Sequence, residues 1–156
     1  MSDWKRTTTE ATLESLRPEL SQAIRKHVEL YNLGEDLLAQ PLLCLQTDSE
    51  KVKKGFFQRG GEWVYTGVVL TPRWIIWAVS GTKVGAATLS AQLRDITVQD
   101  YAQTQFAAMV PDCGVQVNGR FTDVSENGSA FIGLEDNVIG AKFKELAIQQ
   151  VQSAKA

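Results

Sequence analysis

Four cations, Lys51, Lys53, Lys54 and Arg59, fall within nine residues of one another. Clustered ammonium and guanidinium groups suit an anionic membrane surface, where each contributes about 1 kcal/mol. The sequence that follows, Gly60-Gly61-Glu62, brings a carboxylate that opposes this field. The competing reading is an edge strand whose lysines discourage sheet-to-sheet aggregation.

Other reactive side chains are sparse. His27 is the only histidine, and it sits in a helical pattern beside Arg25, Lys26 and Glu29. A Ser-His-Asp or Cys-His arrangement would have to use it. No nucleophile turn of the G-x-S-x-G kind is present, so His27 is expected to be a partly exposed helical histidine. Cys44 and Cys113 are far apart and do not form a zinc set with one histidine. Asp123, Glu126, Glu135 and Asp136 fall near turns but match no calcium loop. The glycines fit neither phosphate-loop spacing. The expectation is a protein that is not an enzyme and carries no metal or cofactor.

Aromatic residues say more. Trp63, Tyr65, Trp74 and Trp77 lie in a stretch, Gly61 to Val79, that is apolar almost throughout. Strand alternation sets Arg73, Ile75, Trp77 and Val79 on one side and Trp74, Ile76 and Ala78 on the other. Both sides are apolar, and monomers rarely expose large apolar patches. One side should fill a core. The other should be covered by a helix from residues 8–33 or by another chain, which makes these four residues candidate interface positions.

The elements that must position these groups follow from periodicity. The chain has 156 residues and a net charge of −2, which fits one main domain and argues against charge-driven nucleic-acid binding. Leu13, Leu16, Leu20, Ile24, Val28 and Tyr31 recur at helical spacing. Pro18 splits this stripe into expected helices at about 8–16 and 18–33, with Thr7 and Glu10 as a capping box and Gly34 as the stop. Residues 1–40 therefore read as an N-terminal helical extension, and residues 41–156 as the main domain. Strands are expected at about 52–57, 62–70, 73–80, 84–91, 95–100, 113–117, 120–125 and 129–134. Asn118-Gly119 and Asn127-Gly128 mark hairpin turns, although Asn118-Gly119 also fits a bulge within one long strand. Residues 101–110 fit either a short helix or a loop. Ile139, Phe143, Leu146, Ala147 and Gln150 trace one face of a last helix. The first residues lack an apolar stretch, so no signal peptide is expected and the location is read as cytoplasmic.

About seven antiparallel strands followed by one amphipathic helix resemble a pleckstrin-homology-like domain. The residues are similar to bacterial members of that superfamily and their GRAM-like relatives. The similarity rests on Ser49-Glu50-Lys51-Val52, on Val69-Leu70-Thr71-Pro72-Arg73-Trp74-Ile75-Ile76-Trp77 and on Leu93-Arg94-Asp95-Ile96-Thr97. It covers about residues 42–152. It implies an α+β fold, a seven-stranded antiparallel and partly open barrel with a C-terminal capping helix. It also implies a binding module, acting through protein or peptide contact or by homo-oligomerisation. Lipid-binding relatives hold phosphoinositide headgroups with cations near the first strand, so Lys51, Lys53, Lys54 and Arg59 are the candidate lipid site. The paired Arg-x-Arg of those relatives is absent.

Overall fold

Trp4-Lys-Arg-Thr-Thr-Thr-Glu10 forms a strand, β1, and not the expected first helix. Three consecutive β-branched threonines suit a pleated surface, and a long-range partner is at hand. β1 runs antiparallel to β2 (Leu43–Lys51), with Trp4 opposite Lys51 and Glu10 opposite Leu45. Thr7 and Glu10 are thus in a ladder and cannot cap. The reciprocal cap comes later: Thr12 N–H donates to Ser15 Oγ at 2.8 Å, and Ser15 N–H to Thr12 Oγ1 at 3.1 Å. The computed structural model describes residues 3–34, 37–52 and 61–156.

Helix α1 (Pro18–Leu30) starts on its proline, whose missing N–H costs nothing in a first turn. It stops ahead of Gly34, because Asn32 adopts a left-handed φ of 51°. Residues 3–34 thus hold one strand and one helix, where two helices were expected.

After β2 the chain meanders through β3 (Trp63–Leu70), β4 (Trp74–Gly81) and β5 (Ala87–Gln92). Together with β1 they make a five-stranded antiparallel sheet in sequence order. β6 (Ile96–Asp100), β7 (Gly114–Gly119) and β8 (Gly128–Gly133) make a second sheet of three. Helix α2 (Val138–Lys155) ends the fold, capped by Asn137, whose side chain accepts from Gly140 N–H at 2.9 Å. The fold is α+β, with eight strands among the described residues in two separate sheets rather than one closed barrel.

Several local expectations are corrected. A strand not expected forms at Leu43–Lys51, and the one expected at about 52–57 lies, but for Val52, outside the described residues. Residues 120–125 are turn, not strand. Asn118-Gly119 does not make a two-residue hairpin turn. Gly119 ends β7 and pairs with both Ile96 and Gly128. Its φ of 143° is open to glycine, and a Cβ there would collide with the Asp95 carbonyl. Residues 101–110 form short 3₁₀ turns, Tyr101–Gln103 and Gln105–Ala108, with Tyr101 buried.

Two apolar clusters hold the molecule. One fills the space between the sheets and α2, with Leu45, Val68, Ile75, Trp77, Val117 and Phe143 among its members. Phe143, Ala147 and Val151 recur every four residues and turn the buried face of α2 inward. The second cluster lies on the opposite face of the large sheet, where Leu20 and Ile24 of α1 pack with Cys44, Val69, Ile76 and Ala78.

The seam between β1 and the second sheet is polar. Arg6 grips Asp112 with two hydrogen bonds, of 3.0 and 2.7 Å, and reaches Ser49 Oγ at 2.6 Å. Gly133 makes room for it, since a Cβ there would strike the guanidinium. Thr8 bonds Thr47 at 2.8 Å, donates its N–H to Glu135 at 2.9 Å and accepts from Glu135 N–H at 2.8 Å.

Candidate functional site

β3 presents Trp63, Tyr65, Gly67 and Val69 to the outer face of the large sheet. α1 covers only part of that row. Leu16 and Leu20 lie against Gly67, and cover thins out at Tyr65. There the Arg17 guanidinium stacks on the Tyr65 ring at 3.7 Å. Tyr65 in turn lies parallel to Trp63, with ring centroids 6.1 Å apart and planes 8° apart. The result is a three-tier stack at the edge of the helix, with both rings half-buried.

The stack is pinned from several sides. Arg17 Nε donates to Glu19 at 2.7 Å and its N–H to Gln46 Oε1 at 2.8 Å. The Arg17–Glu19 hydrogen bond raises the Arg17 pKa and lowers that of Glu19. Glu19 also accepts from Ser80 at 3.3 Å. The neighbouring outward residues of β2 are Asp48, opposite Tyr65, and Glu50, opposite Trp63. Lys5 of β1 stands opposite Glu50. Two half-buried aromatic rings are thus bordered by charges of both signs.

The four candidate aromatics do not form one patch. Trp77 faces inward, is 2% exposed and meets Phe121 edge-on at 5.8 Å. Trp74 faces outward, half-buried against the α1 cluster. Trp63 and Tyr65 are half-buried on the same outer face, and Tyr65, like Trp74, packs at the margin of the α1 cluster. Strand alternation had separated Trp74 from Trp77, and α1 provides the cover for one side.

Lys51 is the exposed last residue of β2, with Nζ 5.9 Å from the Trp4 ring. Lys53, Lys54 and Arg59 lie outside the described residues.

His27 is 8% exposed, in contrast to the partly exposed position expected. Its Nε2 is 2.7 Å from Ser90 Oγ, and Ser90 donates to Thr122 at 2.6 Å. Ser90 is itself 1% exposed, and this chain of hydroxyls ties α1 to β5 and the β7–β8 connection. Burial lowers the His27 pKa. Cys44 and Cys113 are free thiols. Among the described residues, no three His, Cys, Asp or Glu side chains gather into a metal-binding group. No helix among them is long and apolar enough to cross a membrane.

The seam network escaped sequence reasoning. Arg6, Asp112 and Glu135 are spread over the chain, and nothing in their local spacing announces that they meet.

Compared with known proteins, this chain matches no family model, no curated protein and no solved structure.

Proposed function

We propose that this chain is a non-catalytic interaction module of pleckstrin-homology-like architecture, docking a protein or a second copy of itself on the outer face of the large sheet. The architectural reading is supported by the meander β2–β5, the second sheet β6–β8 and the closing helix α2. That is four strands, three strands and a helix, to which β1 is an addition. The observation that carries the binding reading is the Trp63–Tyr65 stack, half-buried beside Arg17 where α1 begins. Aromatic anchors of this kind dominate interface energetics.

A photo-crosslinking residue at position 63 tests the reading. We expect a specific protein adduct at Trp63, and none from Thr97, an exposed residue of β6. Light scattering across a dilution series then separates self-association from a foreign partner. No adduct at position 63, together with a monomer at every concentration, overturns the proposal.

A second reading is favoured by one contact. Lys51 lies over Trp4, which pairs a cation with an amphipathic ring at one end of the sheet. This suits an anionic membrane surface, with Lys53, Lys54 and Arg59 following in sequence. Sedimentation with anionic liposomes should then show binding that Lys51→Glu weakens. No sedimentation at low salt rejects it.

A further inference from the structure

The opposite end of the large sheet carries a different feature. Leu70-Thr71-Pro72-Arg73-Trp74 is a tight turn. Thr71 N–H donates to the Trp74 carbonyl at 2.9 Å, and Thr71 Oγ1 accepts from Trp74 N–H at 2.9 Å. The turn therefore fixes the backbone of Arg73. The carbonyl of Arg73 accepts from Leu93 N–H at 2.9 Å, which fastens Arg73 beside the residue preceding Arg94. Leu93 is fully buried, so this junction is anchored in the core.

Both arginines line a hollow of about 540 Å³, together with Pro72, Gln92, Ser153 and Ala154. Every polar side chain on that lining carries an N–H or O–H donor, and no carboxylate faces it. Among the described residues Arg73 makes no ion pair. Arg94 reaches Asp95 at 4.0 Å, between side chains 68% and 42% exposed. So long and solvated a contact holds little of its charge. In a chain of net charge −2, two arginines have been brought together with their donor forks uncommitted.

From this geometry we propose that the hollow between the β3–β4 turn, Arg94 and the last turn of α2 binds a phosphate group. Guanidinium forks match phosphate oxygens two at a time, and Gln92 and Ser153 supply further donors. The last turn of α2 contributes a partial negative charge that opposes the ligand, about half a unit charge against two guanidinium charges. The volume admits more than a bare phosphate, so it accommodates a phosphate ester, either soluble or on a lipid headgroup. This site is independent of the Trp63–Tyr65 face. It also lies at the far end of β3 from Lys51, roughly 25 Å away at 3.3 Å per residue.

Pyrophosphate is the probe for the soluble form, read by NMR on the arginine Nε–H signals at low salt. Saturable shifts at Arg73 and Arg94, with Arg17 unmoved, are expected. Arg73→Gln and Arg94→Gln should each weaken binding at least about tenfold, since a hydrogen bond to a charged group is worth that or more. Both side chains are exposed, so the fold should survive. Arg73→Lys, which keeps the charge and loses the fork, serves as the second variant and should also weaken binding. Vesicles containing phosphatidic acid form the other arm. Vesicle binding lost in Arg73→Gln, without a pyrophosphate response, assigns the phosphate to a lipid. A pyrophosphate response assigns it to a soluble ester. Shifts that persist in both glutamine variants, or no response to either probe, overturn the proposal.

Discussion

Arg6 shows how much one residue can join. Its guanidinium is 12% exposed, as is the Asp112 carboxylate, and the rings of Trp4 and Phe131 lie 5.7 and 5.4 Å from it. Removing one partner strands the other charge in a poorly solvated seam. Arg6→Ala should cost about 3 kcal/mol in urea unfolding. The double variant with Asp112→Ala should lose less than the sum of the two single losses, because they share one contact. Purely additive losses would show that the pair is not coupled. His27 acts at the same scale through pH. Burial places its folded pKa below the unfolded value of about 6.5. The unfolded chain therefore takes up the proton more readily. Stability is full above pH about 6.5 and is lost as pH falls through that value toward the folded pKa. The melting temperature should fall between pH 7.5 and 5.5, and His27→Gln should reduce the fall. An unchanged fall in the variant would assign the acid sensitivity to other groups.

At the scale of elements, α2 carries the clearest load. Phe143 is fully buried between the sheets, and Phe143→Ala should cost about 3–5 kcal/mol, measured by denaturant titration. This helix was legible in the sequence, because the recurrence of Ile139, Phe143, Leu146 and Ala147 is a local signal, though the buried face ends on Val151 and not on Gln150. Pro18 and the Leu70–Trp74 turn were legible for the same reason. β1 was not. Thr7 followed by Glu10 fits a helix cap as well as a strand, and the decision belongs to β2, more than thirty residues away. The Asn118-Gly119 pair misled in a related way. Its glycine answers to the approach of the Asp95 backbone, a tertiary demand that mimics a turn signal. The candidate surface was half legible. Alternation placed Trp74 and Trp77 on opposite faces, but only the packing of α1 decides which face is bare. Arg73 and Arg94 were visible as motif residues, yet their meeting depends on a hydrogen bond between the β3–β4 turn and the turn after β5.

The whole molecule is two layers around the large sheet, one apolar cluster on each face. The inner one is sealed by the second sheet and α2, the outer one by α1 alone. A charge under α1 should therefore separate the two. Ile24→Asp is expected to loosen the outer layer first, seen as hydrogen exchange rising in α1 ahead of β7 and α2. Simultaneous loss of protection would show the two layers unfold as one unit.

Cys44 gives that arrangement a clock. Its thiol is 4% exposed beneath α1, and burial pushes its pKa up to about 11. Cys113, half-buried at the seam, stands outside the helix cover. A thiol reagent meets Cys44 when α1 lifts, so the lag between modification of the two sulfurs times the excursions of a single helix. Leu20→Ala should shorten that lag without altering the rate at Cys113.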